Sequence, residues 1–148
     1  MKNVIANIVQ TPDGTILWSR YTHDYVTHQD ANGEFYMIDG GPSKYTRASV
    51  NKVPFKSLCV FDTDPWEKQR QVILRGTFDA KGWRVWIPLA KLSNEHVKNL
   101  IKDYPDHPFY NKEFEYRKEN NIQIEGHDYA SEHVKNTYKK EEFNFFEL

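Results

Sequence analysis

Residues 4–19, VIANIVQTPDGTILWS, decide how the fold is read. Two apolar-rich runs, Val4 to Gln10 and Thr15 to Ser19, flank Thr11-Pro12-Asp13-Gly14. Pro12 presets a φ suited to a turn and Gly14 accepts a positive φ, so the segment reads as a β-hairpin. A second pair follows: Tyr21 to His28, a loop through Asp30-Ala31-Asn32-Gly33, then Glu34 to Ile38. Four strands are thus expected before Asp39. Further strands are expected at Ser57 to Phe61, Val72 to Phe78 and Trp83 to Pro88, the last two joined by the turn sequence Asp79-Ala80-Lys81-Gly82. Between them, Asp64 to Arg70 reads as a short helix with Pro65 in its first turn.

After Ala90 the hydrophobic period changes. Ser93 is a good N-cap, Leu92 and Val97 occupy the hydrophobic-staple positions, and Val97, Leu100, Ile101 and Tyr104 form an i, i+3, i+4, i+7 stripe that stops at Pro105. A second helix is expected from Asn111 to Glu119, stopping at Asn120-Asn121, and a third from Ser131 to Glu142. The expected class is α+β: N-terminal β-hairpins and a small antiparallel sheet followed by C-terminal helices. A length of 148 residues suits a single domain, β-rich over 1–90 and helical over 91–148.

Composition narrows the function classes. The formal charge of −1, from 20 basic and 21 acidic residues, is evenly spread and sets up no global field toward nucleic acid or an anionic membrane. Cys59 is the single cysteine, so no intramolecular disulfide can form, and its run Leu58-Cys59-Val60-Phe61 suggests a small buried hydrophobe. The N-terminus is too short in apolar length for a secretory signal, and no window approaches the roughly 18 apolar residues of a membrane span. A soluble, cytoplasmic protein with no membrane partner is expected.

Chemistry-bearing residues concentrate in residues 19–47, SRYTHDYVTHQDANGEFYMIDGGPSKYTR. Arg20, His23, Asp24, His28, Asp39, Gly40, Gly41, Tyr45 and Arg47 all fall there. Asp39-Gly40-Gly41 has two readings. One is a tight turn that needs positive φ; the other is a backbone N–H nest for an anion, with Arg20, Lys44 and Arg47 nearby. From Gly40 through Phe61 there is no acidic residue, while Lys44, Arg47, Lys52 and Lys56 are basic. Tyr21, Tyr25, Tyr36 and Tyr45 interleave with these cations, a composition suited either to stacking on a base beside its phosphate or to ordinary strand packing.

The runs ILWSRYTHDYVTH and IDGGPSKYTR resemble a widespread domain family, frequent in bacteriophage genomes, whose pattern is roughly I-x-S-[RK]-x-x-H-D-[FY]-V followed by V-D-G-G-x-x-Y-x-R. The likeness is good over Gly14 to Ser49. Asp64 with Arg70, Trp86-Ile87-Pro88-Leu89 before Ser93-Asn94-Glu95-His96-Val97, and Glu113 to Arg117 are similar to downstream segments of the phage members. The resemblance implies two turns that often carry zinc-ribbon-like cysteine pairs. Here Gln10 and Asp13 occupy those places on the first turn, with His28 and Asn32 on the second. One His, two amides and one carboxylate are a poor substitute for a thiolate set, so no metal and no cofactor is expected.

Catalytic use of the same residues requires more partners. His23 and Asp24 are adjacent and would point to opposite faces of a strand, and Asp24 and His28 would lie about 13 Å apart on one. A working constellation would have to recruit Asp39, or His96, His127 or Asp128 from the second half. Equally, Asp24 accepts turn hydrogen bonds and His23 is a solvated residue in the plainer reading. His127-Asp128-Tyr129 echoes the earlier tripeptide over only three residues.

Two function classes follow. The first, favoured, is a phage-like, non-catalytic binding module for a host or phage partner, protein or nucleotide, using Arg20, Tyr25, Gly40, Gly41, Lys44, Tyr45 and Arg47. The second is a metal-dependent hydrolase or nuclease using His23, Asp24 and Asp39. The C-terminal Glu141-Glu142-Phe143-Asn144-Phe145-Phe146-Glu147-Leu148 crowds apolar residues among acids and is expected to dock on the chain's own sheet, or on another subunit, as in a homodimer, or a partner.

Overall fold

A computed structural model describes residues 3–42, 47–48, 55–78, 84–126 and 137–139. The Asp79–Gly82 turn, Lys44, Tyr45, the His127-Asp128-Tyr129 echo and the tail from Glu141 lie outside the described residues. The architecture is α+β, with antiparallel strands first and helices later. Contacts group the chain into two compact units, residues 1–72 with 135–148, and residues 73–134.

The first unit is built on the expected hairpin. β1 (Val4–Gln10) and β2 (Thr15–Ser19) pair antiparallel with Asn7 opposite Ser19 and Val9 opposite Leu17. Their turn is closed by Thr11 N–H to the Thr15 carbonyl at 2.8 Å and by Gly14, at φ 88°, donating to the Thr11 carbonyl at 2.9 Å. The second pair is β3 (Val26–Gln29) and β4 (Phe35–Asp39), joined to the short β5 (Arg47–Ala48). Leu17 and Val9 pack with Val26, Tyr36 and Ile38 into one apolar cluster that Phe55 borders. All five residues of β2 are buried, as befits a strand paired along both edges.

Several expectations are corrected here. The second pair begins at Val26 and not at Tyr21, because residues 21–25 are held in a turn by hydrogen bonds described below. The strand expected over Ser57 to Phe61 is split into β6 (Lys56–Ser57) and β7 (Val60–Phe61), both pairing with β1. Leu58 and Cys59 bridge the irregularity: Leu58 N–H donates to the Ile8 carbonyl at 2.9 Å, and Cys59 is only half-buried with its Sγ 3.6 Å from that carbonyl. A short helix, α1 (Trp66–Gln69), follows as expected. Within the expected third helix, Thr137–Lys139 is instead a strand that pairs with β2, Tyr138 opposite Ile16, so the chain beyond residue 91 is not helical throughout. A β-branched and an aromatic residue suit a strand, and an otherwise unpaired edge of β2 supplies the hydrogen-bond partners that a local window cannot reveal.

The second unit holds the hairpin β8 (Leu74–Phe78) and β9 (Arg84–Pro88), then a single 3₁₀ turn over Leu89–Lys91. α2 (Asn94–Asp103) is capped as expected: the Ser93 side chain accepts from the His96 N–H at 3.1 Å, and Val97 and Leu100 are buried. α3 (Pro108–Glu119) starts three residues before the expected Asn111. Pro108 takes the first turn and His107 Nδ1 accepts from the Phe109 N–H at 3.3 Å, an imidazole doing what Ser or Asp usually does. The last strand among the described residues, Thr137–Lys139, is β10 in the order β10-β2-β1-β6. Among the described residues no helix is long and apolar enough to cross a membrane.

Candidate functional site

The dense motif of residues 19–41 folds into an interlocked pair of loops at the ends of β2 and β4. The buried Ser19 hydroxyl is its pin: it donates to the Asp24 carbonyl at 2.7 Å and accepts from the Gly41 N–H at 2.9 Å. Asp24 is 5% exposed. Its carboxylate accepts from the Arg20 backbone N–H at 2.9 Å and lies 3.5 Å from Arg20 Nε, while its own N–H donates to the Tyr21 carbonyl. Four consecutive residues are thereby wound into a turn whose only carboxylate points inward.

The Gly-Gly pair closes the other side. Gly40 and Gly41 have φ of 92° and 54°, values that L side chains rarely adopt, and a methyl added at Gly41 would overlap the Tyr21 carbonyl. Gly40 N–H donates to Asp39 Oδ1 at 2.8 Å, and the Asp39 carbonyl accepts from the buried Asn7 amide at 2.8 Å. The turn reading of Asp39-Gly40-Gly41 is therefore the one realised. Both glycine N–H groups already have internal acceptors, so the anion nest is not formed in this state.

The structure brings Arg20, Asp24, Gly41 and, through its carbonyl, Asp39 into one buried polar network with Asn7 and Ser19. It does not bring His23 into it. Among the described residues the His23 imidazole has no hydrogen-bond, ion-pair or ring partner, and it is exposed. A general base needs an orienting partner and a nearby proton to take, and Asp24, turned the opposite way, offers His23 neither. Tyr25, at 55% exposure, and Tyr21, at 45%, accompany His23 outward. Arg47 is the register partner of Asp39 across β4 and β5, which places its backbone beside the same corner.

One contact escaped the sequence reading. His28 Nε2 lies 2.8 Å from Asp13 Oδ2, joining the first hairpin turn to β3, and the imidazole stacks against Tyr36 with ring centroids 6.4 Å apart. Partial burial alone would raise the Asp13 pKa. The Thr11 hydroxyl, His28 and the Thr15 N–H together hold it well below the usual carboxylate range. The signal available was the pair of turn positions that the resemblance singled out, Asp13 and His28. Among the described residues no three His, Cys, Asp or Glu side chains gather as metal ligands. In comparisons with known proteins, no family model, curated protein or solved structure matches this chain.

Proposed function

We propose that this chain is a non-catalytic binding module, a phage-type accessory protein acting in the host cytoplasm, that engages a host or phage partner, protein or nucleotide, with the outward face of the Arg20–Tyr25 turn. The observation that carries this reading is the division of labour within the motif. Ser19 joins Asp24 to Gly41 through short, buried hydrogen bonds, and the Asn7 amide holds the Asp39 carbonyl beside them, a role that needs no substrate. Tyr21, His23 and Tyr25 face solvent on the rigid turn that results. Tyrosine on a preorganised loop gives large contact area at low entropic cost, which suits recognition.

The test compares inward and outward residues of the same motif. Ser19→Ala and Gly41→Ala should lower the melting temperature, each losing a buried hydrogen bond or adding a backbone clash, a cost of about 1–3 kcal/mol. Tyr25→Ala and His23→Ala should leave it unchanged while abolishing retention of whatever co-purifies with the chain from its natural host. A divalent-cation-dependent hydrolysis lost on His23→Ala would replace this reading with the hydrolase or nuclease built on His23, Asp24 and Asp39.

A further inference from the structure

The second unit carries a groove of about 240 Å³ between α2, α3 and the segment that follows α3. Val97, Phe114 and Ile122 form its apolar lining, with Lys98 on one helix, Lys118 on the other and Gln123 on the third wall. Neither lysine has an ion-pair partner among the described residues, and no acidic side chain lines the groove.

The walls are tied together by Arg117 and Asn94, which also line the groove. Arg117 Nε meets Glu113 Oε2 at 2.6 Å, Nη1 donates to Asn94 Oδ1 at 2.9 Å, and Nη2 donates to the Leu89 carbonyl at 2.9 Å, with both charged groups buried. Asn94 in turn holds the third wall: its N–H donates to the Ile124 carbonyl at 2.8 Å, its Oδ1 accepts from the Ile124 N–H at 3.1 Å, and its Nδ2 reaches the Ile122 carbonyl at 3.3 Å. Because Glu113 neutralises Arg117, the uncompensated charge at the groove is that of the two lysines. The groove is therefore formed before anything enters it, which removes much of the ordering cost of binding.

Size and charge select the occupant. About 240 Å³ falls below the roughly 300–1,000 Å³ of small-molecule and cofactor sites and suits one or two large side chains. Two lysines, with Arg117 already paired to Glu113, are far fewer than the 6–10 phosphate contacts of a typical nucleic-acid binder. We propose that this groove docks an acidic peptide segment of a partner protein, with one large apolar side chain seated among Val97, Phe114 and Ile122 and flanking carboxylates meeting Lys98 and Lys118. Such an anchor in a preformed pocket with a charged rim is a recurring mode of peptide recognition.

The probe is an mRNA-displayed random dodecapeptide library selected on the full chain, followed by fluorescence anisotropy of the leading peptide. Enrichment of a large apolar residue flanked by Asp or Glu is expected. Affinity for that peptide should fall at least about tenfold on Lys98→Glu with Lys118→Glu, and likewise on Phe114→Ala, with melting temperatures unchanged, and it should weaken as salt rises. Three results would overturn the proposal: no enrichment, enrichment of basic peptides, or equal binding by the charge-reversed chain. So would a wild-type dimer that becomes monomeric on charge reversal, which would make the occupant a second copy of this chain.

Discussion

At the scale of single residues, position in the hydrogen-bond network matters more than chemical type. Asp24 and His23 are neighbours in sequence, yet one is buried as a turn acceptor and the other stands free in solvent. His96 is an instructive titrating group: burial, aided by the Arg75 cation, pushes its pKa below the ordinary 6.5. A histidine whose folded pKa is depressed binds its proton more readily when unfolded, so its contribution to stability is complete above about pH 6.5 and declines as pH falls through that value. Chemical denaturation at pH 7.5 and 5.5 should therefore show a loss of stability on acidification that His96→Gln reduces. Asp13 acts in a lower window. Its depressed pKa contributes stability that is present above the ordinary carboxylate value of 3.8 and lost only below it.

At the scale of elements, caps explain why the helices begin and end where they do. α3 stops at Asn120, and Asn121 takes a left-handed φ of 54° while the Ile122 N–H reaches back to the Arg117 carbonyl at 2.9 Å, a Schellman closure. Asparagine tolerates that conformation and glycine favours it. Asn121→Gly should therefore raise stability by about 0.5–1 kcal/mol, read as an increased denaturation midpoint at unchanged m-value; a fall would mean that the Asn121 side chain contributes bonds of its own. The same closure aims Ile122 into the peptide groove, so a helix stop that Asn120-Asn121 announces in the sequence also builds a wall of a site that it does not announce. α2 was equally legible, since Ser93 and the Val97–Leu100 stripe act within one or two turns.

At the scale of the whole chain, the decisive pairing joins residues more than a hundred positions apart. β10 covers the β2 edge at Thr15, Ile16 and Leu17. Ending the chain after Asn136 should lower the melting temperature and, by baring the edge of a fully buried strand, induce concentration-dependent association in light scattering. A truncated chain that keeps its stability and stays monodisperse would show that β10 adds little. The sequence by itself determined the hairpin of residues 4–19, the helix capped by Ser93, and the stop at Asn120-Asn121. Each depends on interactions among residues a few positions apart, which periodicity and turn chemistry encode directly. Only the tertiary structure decided that Thr137–Lys139 is a strand, that Ser57 to Phe61 breaks in two, that Ser19 joins Asp24 to Gly41, and that Asp13 meets His28. Those outcomes depend on which distant edge or acceptor is left unsatisfied once the local elements have packed, a property of their assembled surfaces that no window of sequence contains.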